Sequence, residues 1–401
     1  MAKPAGSRCN LACEYCYYLE KGMMYPAKPA QTMSDELLDL FIRDYIAAQP
    51  TPQVVFSWHG GEMLLRSKDF YRRVVELQRK YGAGRRIENT IQTNGTLLDD
   101  EWCAFFRDNG WLVGISIDGP RRYHDRYRLD RRGGGTFDDV MHGIGLLAKH
   151  DVQWNALAVV NRFNGDDPEG FYDFFRSTGC RFLQFTPVVE RILPRDDGRM
   201  LASAADSDAR LADFSVTPGQ WGRFLCRVFD RWVTADVGEI FVQMFDATLA
   251  NWVGQAPGLC TLSKICGHAG ALEFNGDLYA CDHFVFPEYK LGNIVRTPIG
   301  ELMRSTRQSA FGDAKLRSLP SQCRECRYLF ACNGECPRNR FAYTRTGEPG
   351  LNYLCKGYYK FFDHAAPYMD FMRNELSHRR PPSNVMEWAR RRLARSNDNK
   401  R

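Results

Sequence analysis

Hydrophobic and polar positions alternate along the first 235 residues in a pattern that predicts strands and helices in turn. Short apolar runs predict strands, and segments with apolar residues three or four positions apart predict helices between them. The predicted strands are Ala2–Ala5, Gln53–Trp58, Arg86–Gln92, Leu112–Ile117, Val152–Val160 and Arg181–Pro187. The predicted helices are Ser34–Ala48, Ser67–Tyr81, Asp99–Asn109, Thr136–His150, Pro168–Thr178 and Pro218–Val233. Six such units predict an α/β fold in which a parallel sheet curves into a partial (β/α)6 barrel with its helices outside.

Polar residues follow several of these predicted strands. His59-Gly60-Gly61-Glu62 follows the second strand, Gln92-Thr93-Asn94-Gly95 the third, and Ser116 and Asp118 the fourth. In parallel barrels the C-terminal strand ends build the active site. We therefore expect a site at this face, with His59 as a supporting residue and not a catalytic one.

Three cysteines lie on a short loop directly after the first predicted strand. Cys9, Cys13 and Cys16 have the spacing C-x3-C-x2-C in GSRCNLACEYCYYL. Three thiolates hold three irons of a [4Fe-4S] cluster and leave the fourth iron open for chemistry. Zinc is the alternative, but structural zinc sites usually close at four ligands. The spacing resembles that of the radical S-adenosylmethionine (SAM) enzymes.

A second group of cysteines dominates the chain past residue 255. Long helical periodicity is scarce there until Tyr358–Glu375, which indicates a small domain held together by metal. Two sites of four thiolates fit the count, zinc stays an alternative at either site, and the spacing does not reveal which cysteines share a site. The eight cysteines are Cys260, Cys266, Cys281, Cys323, Cys326, Cys332, Cys336 and Cys355. The other three, Cys103, Cys180 and Cys226, are predicted to be buried apolar residues.

Composition and charge narrow the class of protein. The 401 residues are 44% hydrophobic and 25% charged, which is ordinary for a globular chain. No signal peptide or run of about 18 apolar residues is present, so we expect a cytoplasmic protein with reduced cysteines and no membrane partner. Residues 379–401 carry eight basic and two acidic side chains, which accounts for the whole net charge of +6. The rest is nearly neutral, so we expect no nucleic-acid partner.

These patterns divide the chain into four predicted segments. Residues 1–235 form the barrel, 236–259 a helical linker, 260–375 the cysteine-rich domain and 376–401 a basic C-terminal tail. We interpret the tail as a solvated helix with frayed ends, and a basic docking arm is the alternative.

With both cysteine sets considered, the chain resembles the anaerobic sulfatase-maturating enzymes, which are radical SAM proteins with a C-terminal SPASM domain. The resemblance runs essentially end to end and is carried by KPAGSRCNLACEYCYYL, WHGGE, QTNGTL, SIDGP, CDHFVFPEYKLGNI and NYLCKGYY. It implies a radical SAM oxidoreductase that converts a Cys or Ser residue of a sulfatase to Cα-formylglycine. It also implies three [4Fe-4S] clusters, SAM, a sulfatase polypeptide as substrate, and an electron donor such as flavodoxin or ferredoxin.

The resemblance assigns roles to individual positions. Asp282 is implied as the proton acceptor, with the auxiliary clusters as electron acceptor. The implied SAM contacts are Tyr15, Gly61, Ser116, Arg128 and Val189. The implied ligands are Cys9, Cys13 and Cys16 for the SAM cluster, Cys260, Cys266, Cys281 and Cys336 for the first auxiliary cluster, and Cys323, Cys326, Cys332 and Cys355 for the second. Met63 departs from the family pattern, which has proline there, and is expected to leave the loop after Glu62 less rigid.

Two other functions compete with this one. A SPASM radical SAM enzyme that forms a crosslink or thioether in another ribosomal peptide is the nearer alternative. Many such enzymes carry a peptide-recognition domain ahead of the cluster loop, and only eight residues precede Cys9 here. A non-catalytic iron–sulfur or zinc scaffold would leave the three-cysteine loop and the polar strand ends unexplained.

Overall fold

A single twisted sheet organises the described part of the chain, which in this computed structural model is residues 1–25, 32–195, 198–202, 206 and 208–398. Ten of the strands in these ranges belong to that sheet, and the others form two small antiparallel sheets. The strands are β1 Ala2–Lys3, β2 Gln53–Trp58, β3 Arg86–Thr93, β4 Leu112–Ser116, β5 Trp154–Val160, β6 Phe182–Pro187, β7 Arg191–Arg195, β8 Gly198–Leu201, β9 Arg210–Leu211, β10 Phe241–Val242, β11 Ala271–Glu273, β12 Asp277–Tyr279, β13 Lys290–Asn293, β14 Ala342–Tyr343 and β15 Pro349–Leu351.

The helices begin where the sequence supplies N-cap side chains. Ser34 and Ser67 each accept a hydrogen bond from the backbone N–H three residues on, at 3.2 Å in both cases, which satisfies an otherwise unpaired donor. The helices are α1 Asp35–Ala48, α2 Lys68–Tyr81, α3 Asp100–Asp108, α4 Arg121–Tyr127, α5 Phe137–Lys149, α6 Pro168–Ser177, α7 Pro218–Ala235, α8 Gln243–Trp252, α9 Ile299–Met303, α10 Thr306–Arg317, α11 Ser321–Arg324, α12 Leu329–Cys332, α13 Cys355–Ser377 and α14 Val385–Asp398.

The barrel strands β1 to β6 lie side by side in chain order and are all parallel. The register between β2 and β3 pairs Gln53 with Arg86 and Trp58 with Ile91. Because parallel neighbours point the same way, their C-terminal ends meet at one face of the sheet. The predicted alternation of strands and helices is thus confirmed, and the polar strand ends lie together.

The cysteine-rich part of the chain continues the same sheet. Strand β11 pairs in parallel with β1, with Ala2 opposite Leu272 and Lys3 opposite Glu273. Strands β12 and β13 then extend the sheet in antiparallel fashion. The strand that leads into the cysteine loop therefore lies between β2 of the barrel and β11 of the cysteine-rich part.

Two long helices bring the barrel and the C-terminal part together at a glycine contact. Helix α13 packs against α7, and a Cβ at Gly357 would lie only 2.5 Å from the carbonyl oxygen of Pro218. A Cβ at Gly222 would likewise lie 2.9 Å from Cα of Gly357. The close approach of the two helices thus requires glycine on both.

The basic tail differs in part from the expected solvated helix. Helix α14 is present, but Val385 and Ala389 are fully buried and the Trp388 ring stacks on Phe371 at 5.2 Å. One face of the tail is therefore packed on the protein, because its apolar residues recur at helical spacing. Lys400 and Arg401 lie outside the described residues. Within the described ranges, no helix is both long enough and apolar enough to cross a membrane.

Candidate active site

A cavity of about 320 Å³ opens at the C-terminal ends of the barrel strands. Cys9, Cys13 and Cys16 line it, as do Cys260 and Cys336. All the positions predicted to contact SAM also line it: Tyr15, Gly61, Ser116, Arg128 and Val189. Residues that are far apart in the sequence thus meet around one space.

Backbone contacts with the segment after α4 hold the cysteine loop in place. The N–H of Ala12 donates to the carbonyl of Leu129 at 2.8 Å, and that of Glu14 to Tyr127 at 3.0 Å. The exposed Arg131 donates from Nε to the carbonyl of Cys9 at 2.8 Å. On the barrel side, the Asn94 amide approaches the Cys9 sulfur at 3.8 Å. The loop is therefore fixed by both the strand ends and the chain after β4.

The Gly-Gly-Glu segment runs directly along the cysteine loop. The Gly61 N–H donates to the carbonyl of Gly6 at 2.9 Å, and a Cβ at Gly61 would lie 2.0 Å from the carbonyl oxygen of Arg8. Only glycine fits there. The neighbouring Glu62 is fully buried, and its carboxylate accepts from the Thr93 hydroxyl at 2.7 Å.

Met63 changes this segment less than its departure from proline suggests. Glu62 is extended, with φ −109° and ψ 118°, and its carboxylate accepts from the backbone N–H groups of Leu64 and Asn94, both at 2.8 Å. Met63 is fully buried, and its carbonyl accepts from the Tyr71 hydroxyl at 3.0 Å. The bonds to the Glu62 carboxylate thus support the extended backbone that proline would otherwise favour.

Asp118 joins two of the predicted SAM contacts. It is fully buried and accepts from Arg128 Nε at 2.9 Å and Nη2 at 3.2 Å, and from the hydroxyl of Tyr15. The backbone N–H of Val159 donates to it as well, at 3.0 Å. Sequence reasoning noted Asp118 only as a strand-end residue. Its position at the end of a buried apolar strand was the available signal.

Asp282 lies at the edge of the cavity and not on its wall, as far as the described residues go. It forms an ion pair with Lys3 and accepts a hydrogen bond from the hydroxyl of Tyr17, which does line the cavity. Burial opposes ionisation of Asp282, but Lys3, His59 and His283 outweigh it and hold the pKa of this carboxyl well below its usual value. Burial also lowers the pKa of each of these histidines to about 4. Lys3 is therefore the cation that keeps Asp282 ionised at neutral pH.

Lys3 is a functional residue that sequence reasoning missed. Its side chain is fully buried, with Nζ 3.3 Å from His59 Nδ1 and 3.9 Å from the centre of the Tyr18 ring. The Tyr18 hydroxyl donates to Glu273, whose pKa burial raises to about 7. A lysine within a predicted strand next to the cysteine loop was the signal, because buried lysines need a specific partner.

A second buried ion pair borders the cavity. Arg338 pairs with Glu190, and its Nη1 lies 3.2 Å from His283 Nδ1. Both members of the pair line the cavity. No sequence signal brought them together, because they lie 148 residues apart.

The cysteines predicted as ligands fall into three groups, and within each group the cysteines raise one another's pKa. Cys13 interacts with Cys9 and Cys16 in the loop after β1. The interactions within the other groups are those of Cys281 with Cys260 and Cys266, Cys336 with Cys281 and Cys260, Cys332 with Cys355 and Cys323, and Cys355 with Cys323 and Cys326. The structure thus brings together the same cysteines that the resemblance groups.

These groups suit iron–sulfur clusters in their chemistry. Burial raises the pKa of Cys13 and of Cys281 to about 12 and that of Cys355 to about 11. Thiolates in such surroundings need a positive partner, which bound iron supplies. A structural zinc ion would need four ligands on one metal. Among the described residues, no three Cys, His, Asp or Glu side chains are grouped closely enough to hold a single ion. The three remaining cysteines, Cys103, Cys180 and Cys226, are buried as predicted.

Comparison with known proteins gives the family. Residues 4–175 match the Radical SAM superfamily, and residues 266–327 match SPASM, an iron–sulfur cluster-binding domain. A serine-type anaerobic sulfatase-maturating enzyme of Bacteroides thetaiotaomicron is 61% identical over 388 residues, which cover 96% of this chain and 94% of the relative. The chain belongs to the anaerobic sulfatase-maturating enzymes. Its predicted family, its radical SAM barrel with a SPASM domain, and its cofactors, SAM and [4Fe-4S] clusters, are confirmed.

More distant anaerobic sulfatase-maturating enzymes also match nearly the whole chain. A cysteine-type enzyme of Clostridium novyi is 31% identical over 382 residues, covering 94% of this chain and 98% of the relative. The solved structure of native anSMEcpe with bound AdoMet and the Cp18Cys peptide is 29% identical and gives a TM-score of 0.81. It covers 94% of this chain and 98% of its own. The shared fold therefore extends across barrel and SPASM domain.

Proposed function

We propose that this enzyme oxidises a Cys or Ser residue of a sulfatase polypeptide to Cα-formylglycine, and that serine is its natural target. The observation that carries the proposal is the cavity of about 320 Å³ that joins the cysteine loop, the predicted SAM contacts and Tyr17, which is bonded to Asp282. Serine is favoured because the 61% identical relative is named a serine-type enzyme.

The barrel end of the cavity is the proposed site for SAM. Cys9, Cys13 and Cys16 would hold its cluster, while Tyr15, Gly61, Ser116, Arg128 and Val189 would contact SAM itself. When bound, SAM and this cluster would provide the radical chemistry that removes a hydrogen atom from Cβ of the target residue. Asp118 supports the site, because one buried carboxylate fixes both Tyr15 and Arg128.

Asp282 is the proposed proton acceptor. The target side chain has to lose its hydroxyl or thiol proton as the aldehyde forms, and an ionised carboxylate accepts a proton well. Lys3 keeps Asp282 ionised, and the Tyr17 hydroxyl donates to it from the cavity wall. We therefore place the proton path from the target, through Tyr17, to Asp282.

The C-terminal part supplies the proposed electron acceptor. One electron leaves the target together with that proton, and auxiliary clusters would take it. A Ser target then becomes the aldehyde directly, whereas a Cys target becomes a thioaldehyde, which water converts to the aldehyde as hydrogen sulfide leaves. Cys260 and Cys336 support this role, because they line the same cavity as the cysteine loop. The proposed ligand sets are Cys260, Cys266, Cys281 and Cys336 for the first auxiliary cluster, and Cys323, Cys326, Cys332 and Cys355 for the second. A flavodoxin- or ferredoxin-type protein is the proposed electron donor to the enzyme.

The test is anaerobic incubation of the reconstituted enzyme with SAM and three sulfatase peptides that carry Ser, Cys or Ala at the target position. We expect the Ser and Cys peptides to gain an aldehyde, detected by mass spectrometry after labelling with a hydrazide. The Ala peptide should stay unmodified. A product that loses two hydrogens but fails to react with hydrazide would be a crosslink and would contradict formylglycine formation.

A further inference from the structure

A loop of three residues, Asn333-Gly334-Glu335, joins Cys332 to Cys336. On the ligand sets of the proposed function, on which this inference rests, Cys332 serves the second auxiliary cluster and Cys336 the first. The loop is then the shortest covalent connection between the two clusters. All three residues have positive φ angles, of 49°, 70° and 52°. Asparagine tolerates this conformation, but glutamate keeps it only where the surrounding structure holds it there.

The Arg340 guanidinium holds this bridging loop by hydrogen bonds to the three backbone carbonyl groups of the loop. Its Nε donates to Gly334 at 2.9 Å, and its Nη2 donates to Asn333 at 3.1 Å and Glu335 at 3.2 Å. A Cβ at Gly334 would lie 2.6 Å from Nη2 of Arg340, so the guanidinium packs directly on the loop. Hydrogen bonds to the backbone thus fix the shape of the loop. The Glu335 side chain is not needed to hold the loop in this conformation.

The Glu335 carboxylate lies in the interior between the two cysteine groups. It is only 2% exposed and accepts hydrogen bonds from two neutral amides, Asn352 at 2.6 Å and Asn339 at 3.3 Å. The Glu335 backbone N–H donates to the carbonyl of Cys332 in one group at 2.9 Å, and Cys336 of the other group is the next residue.

Two cations, Lys315 and Arg340, lie near Glu335, and both donate hydrogen bonds to backbone carbonyl oxygens. Lys315 is fully buried, and its Nζ donates to the carbonyls of Cys260 at 2.7 Å and Thr261 at 2.8 Å. Arg340 donates to the bridging loop, as described above. A carboxylate solvated by amides in a low-dielectric interior exerts a strong field on its neighbours.

We propose that Glu335 sets the reduction potentials of the two auxiliary clusters, and that its buried negative charge makes both of them harder to reduce. Nearby charge is one of the main influences on the potential of an iron–sulfur cluster. Because Glu335 lies in the connection between the two cysteine groups, one side chain acts on both clusters. A cluster that is harder to reduce passes its electron on more readily, which suits a transient electron acceptor.

The experiment compares Glu335→Gln with wild type, using the full chain reconstituted with iron and sulfide. Midpoint potentials are measured by EPR-monitored redox titration with and without SAM, so that signals unaffected by SAM report the auxiliary clusters. Glu335→Asp keeps the charge. Glu325→Gln is the matched control, because Glu325 is an exposed residue between Cys323 and Cys326 and water screens its charge.

We expect Glu335→Gln to favour the reduced auxiliary clusters at least tenfold, which is an upward shift of about 59 mV for a one-electron couple. Glu335→Asp and Glu325→Gln should stay near wild type. Unchanged or lower potentials in Glu335→Gln, or an equal shift in Glu325→Gln, would overturn the proposal. If Glu335→Gln fails to load iron, Glu335→Ala is measured instead, and loss of iron in both would show that the residue only supports assembly.

These outcomes are separate from failure of the proposed function. Wild-type enzyme that binds only about four irons per chain would refute the auxiliary ligand sets themselves. Wild-type enzyme that binds about twelve irons but makes no formylglycine would refute the proposed reaction, while the potentials of its variants would still test Glu335.

Discussion

The barrel and the cysteine-rich part hold their backbones in different ways. In the barrel, large apolar side chains fill the space between sheet and helices, as where Trp58 stacks on Trp111 at 6.3 Å, both fully buried. In the cysteine-rich part, helices α11 and α12 are only four residues long. Buried charged side chains such as Lys315 donate there to backbone carbonyls.

The contrast bears on what each part needs in order to fold. Apolar packing of long amphipathic helices stabilises the barrel without help from a cofactor. Helices of four residues are too short to be stable alone, and a small core stapled by metal usually requires the metal. We therefore expect the barrel to fold without iron and the cysteine-rich part to depend on its clusters.

The largest effect should come from replacing Cys9, Cys13 and Cys16 together with alanine. SAM cleavage should disappear, because none of the proposed ligands of the SAM cluster remains, and total iron should fall by about a third. The far-UV circular dichroism should stay unchanged, because this loop is fixed by backbone contacts. Iron analysis and chromatography of the SAM products measure both effects. Residual cleavage, or a loss of two thirds of the iron, would contradict the assignment.

Removal of all iron with a chelator should separate the two parts most clearly. Hydrogen exchange should speed up more than about tenfold in residues 256–355 and change little in strands β3 to β5. The triple alanine variant is the control, because it should keep the auxiliary clusters and slow exchange in that segment. Equally slow hydrogen exchange throughout the iron-free chain would contradict the expectation that the cysteine-rich part needs its clusters to fold. Stoichiometric zinc in protein purified without oxygen would contradict the two auxiliary iron–sulfur sites.

Asp282→Asn should separate proton removal from SAM cleavage. The variant keeps its shape but loses the proposed proton acceptor, so formylglycine should fall by about 10²–10⁴-fold while SAM cleavage with peptide continues. Asp277→Asn is the control, because Asp277 pairs with Lys290 on the same hairpin and does not line the cavity. Peptide turnover by mass spectrometry is the measurement. Normal turnover in Asp282→Asn would leave Tyr17 as the group to test next.

The smallest effect should follow deletion of residues 385–401. SAM cleavage and peptide turnover should stay within about twofold of wild type, because α14 packs against α7 and α13 and none of its described side chains lines the cavity. The melting temperature should fall, since the buried Val385 and Ala389 are lost. If turnover drops and high salt has the same effect on intact enzyme, the tail is a docking arm.

Much of the barrel could be predicted because its signals are local. Strand β2 occupies the predicted residues, Gln53–Trp58, and helices α1 and α2 begin directly after Ser34 and Ser67, the first residues of the predicted helices. Periodicity and capping act within a few residues, so the sequence shows them. The pairing of β1 with β11 could not be predicted, because each strand has only two or three residues and about 270 residues separate them.

Site residues could be predicted where they belong to a short sequence motif. They could not be predicted where a contact joins residues that are far apart in the sequence. The cysteine loop and Gly61 could be assigned from the resemblance, and the structure places them around one cavity. The links from Lys3 to Asp282 and from Asp118 to Arg128 are buried ion pairs, whose partners periodicity does not reveal. Glu335 looked like an ordinary polar residue between two cysteines until its burial was known.

The parallel pairing of β1 with β11 has a consequence for how the chain is made. During synthesis the strand that leads into the cysteine loop gains its β2 neighbour after about 58 residues, but its other neighbour only after residue 271. Until then one edge of the nascent barrel stays open, and an unpaired edge invites association with other chains. Lys3, which faces Asp282 in the finished protein, has no counterion during that interval. The edge of β1 that pairs with β11 therefore stays exposed until the hairpin of β11 and β12 has been synthesised.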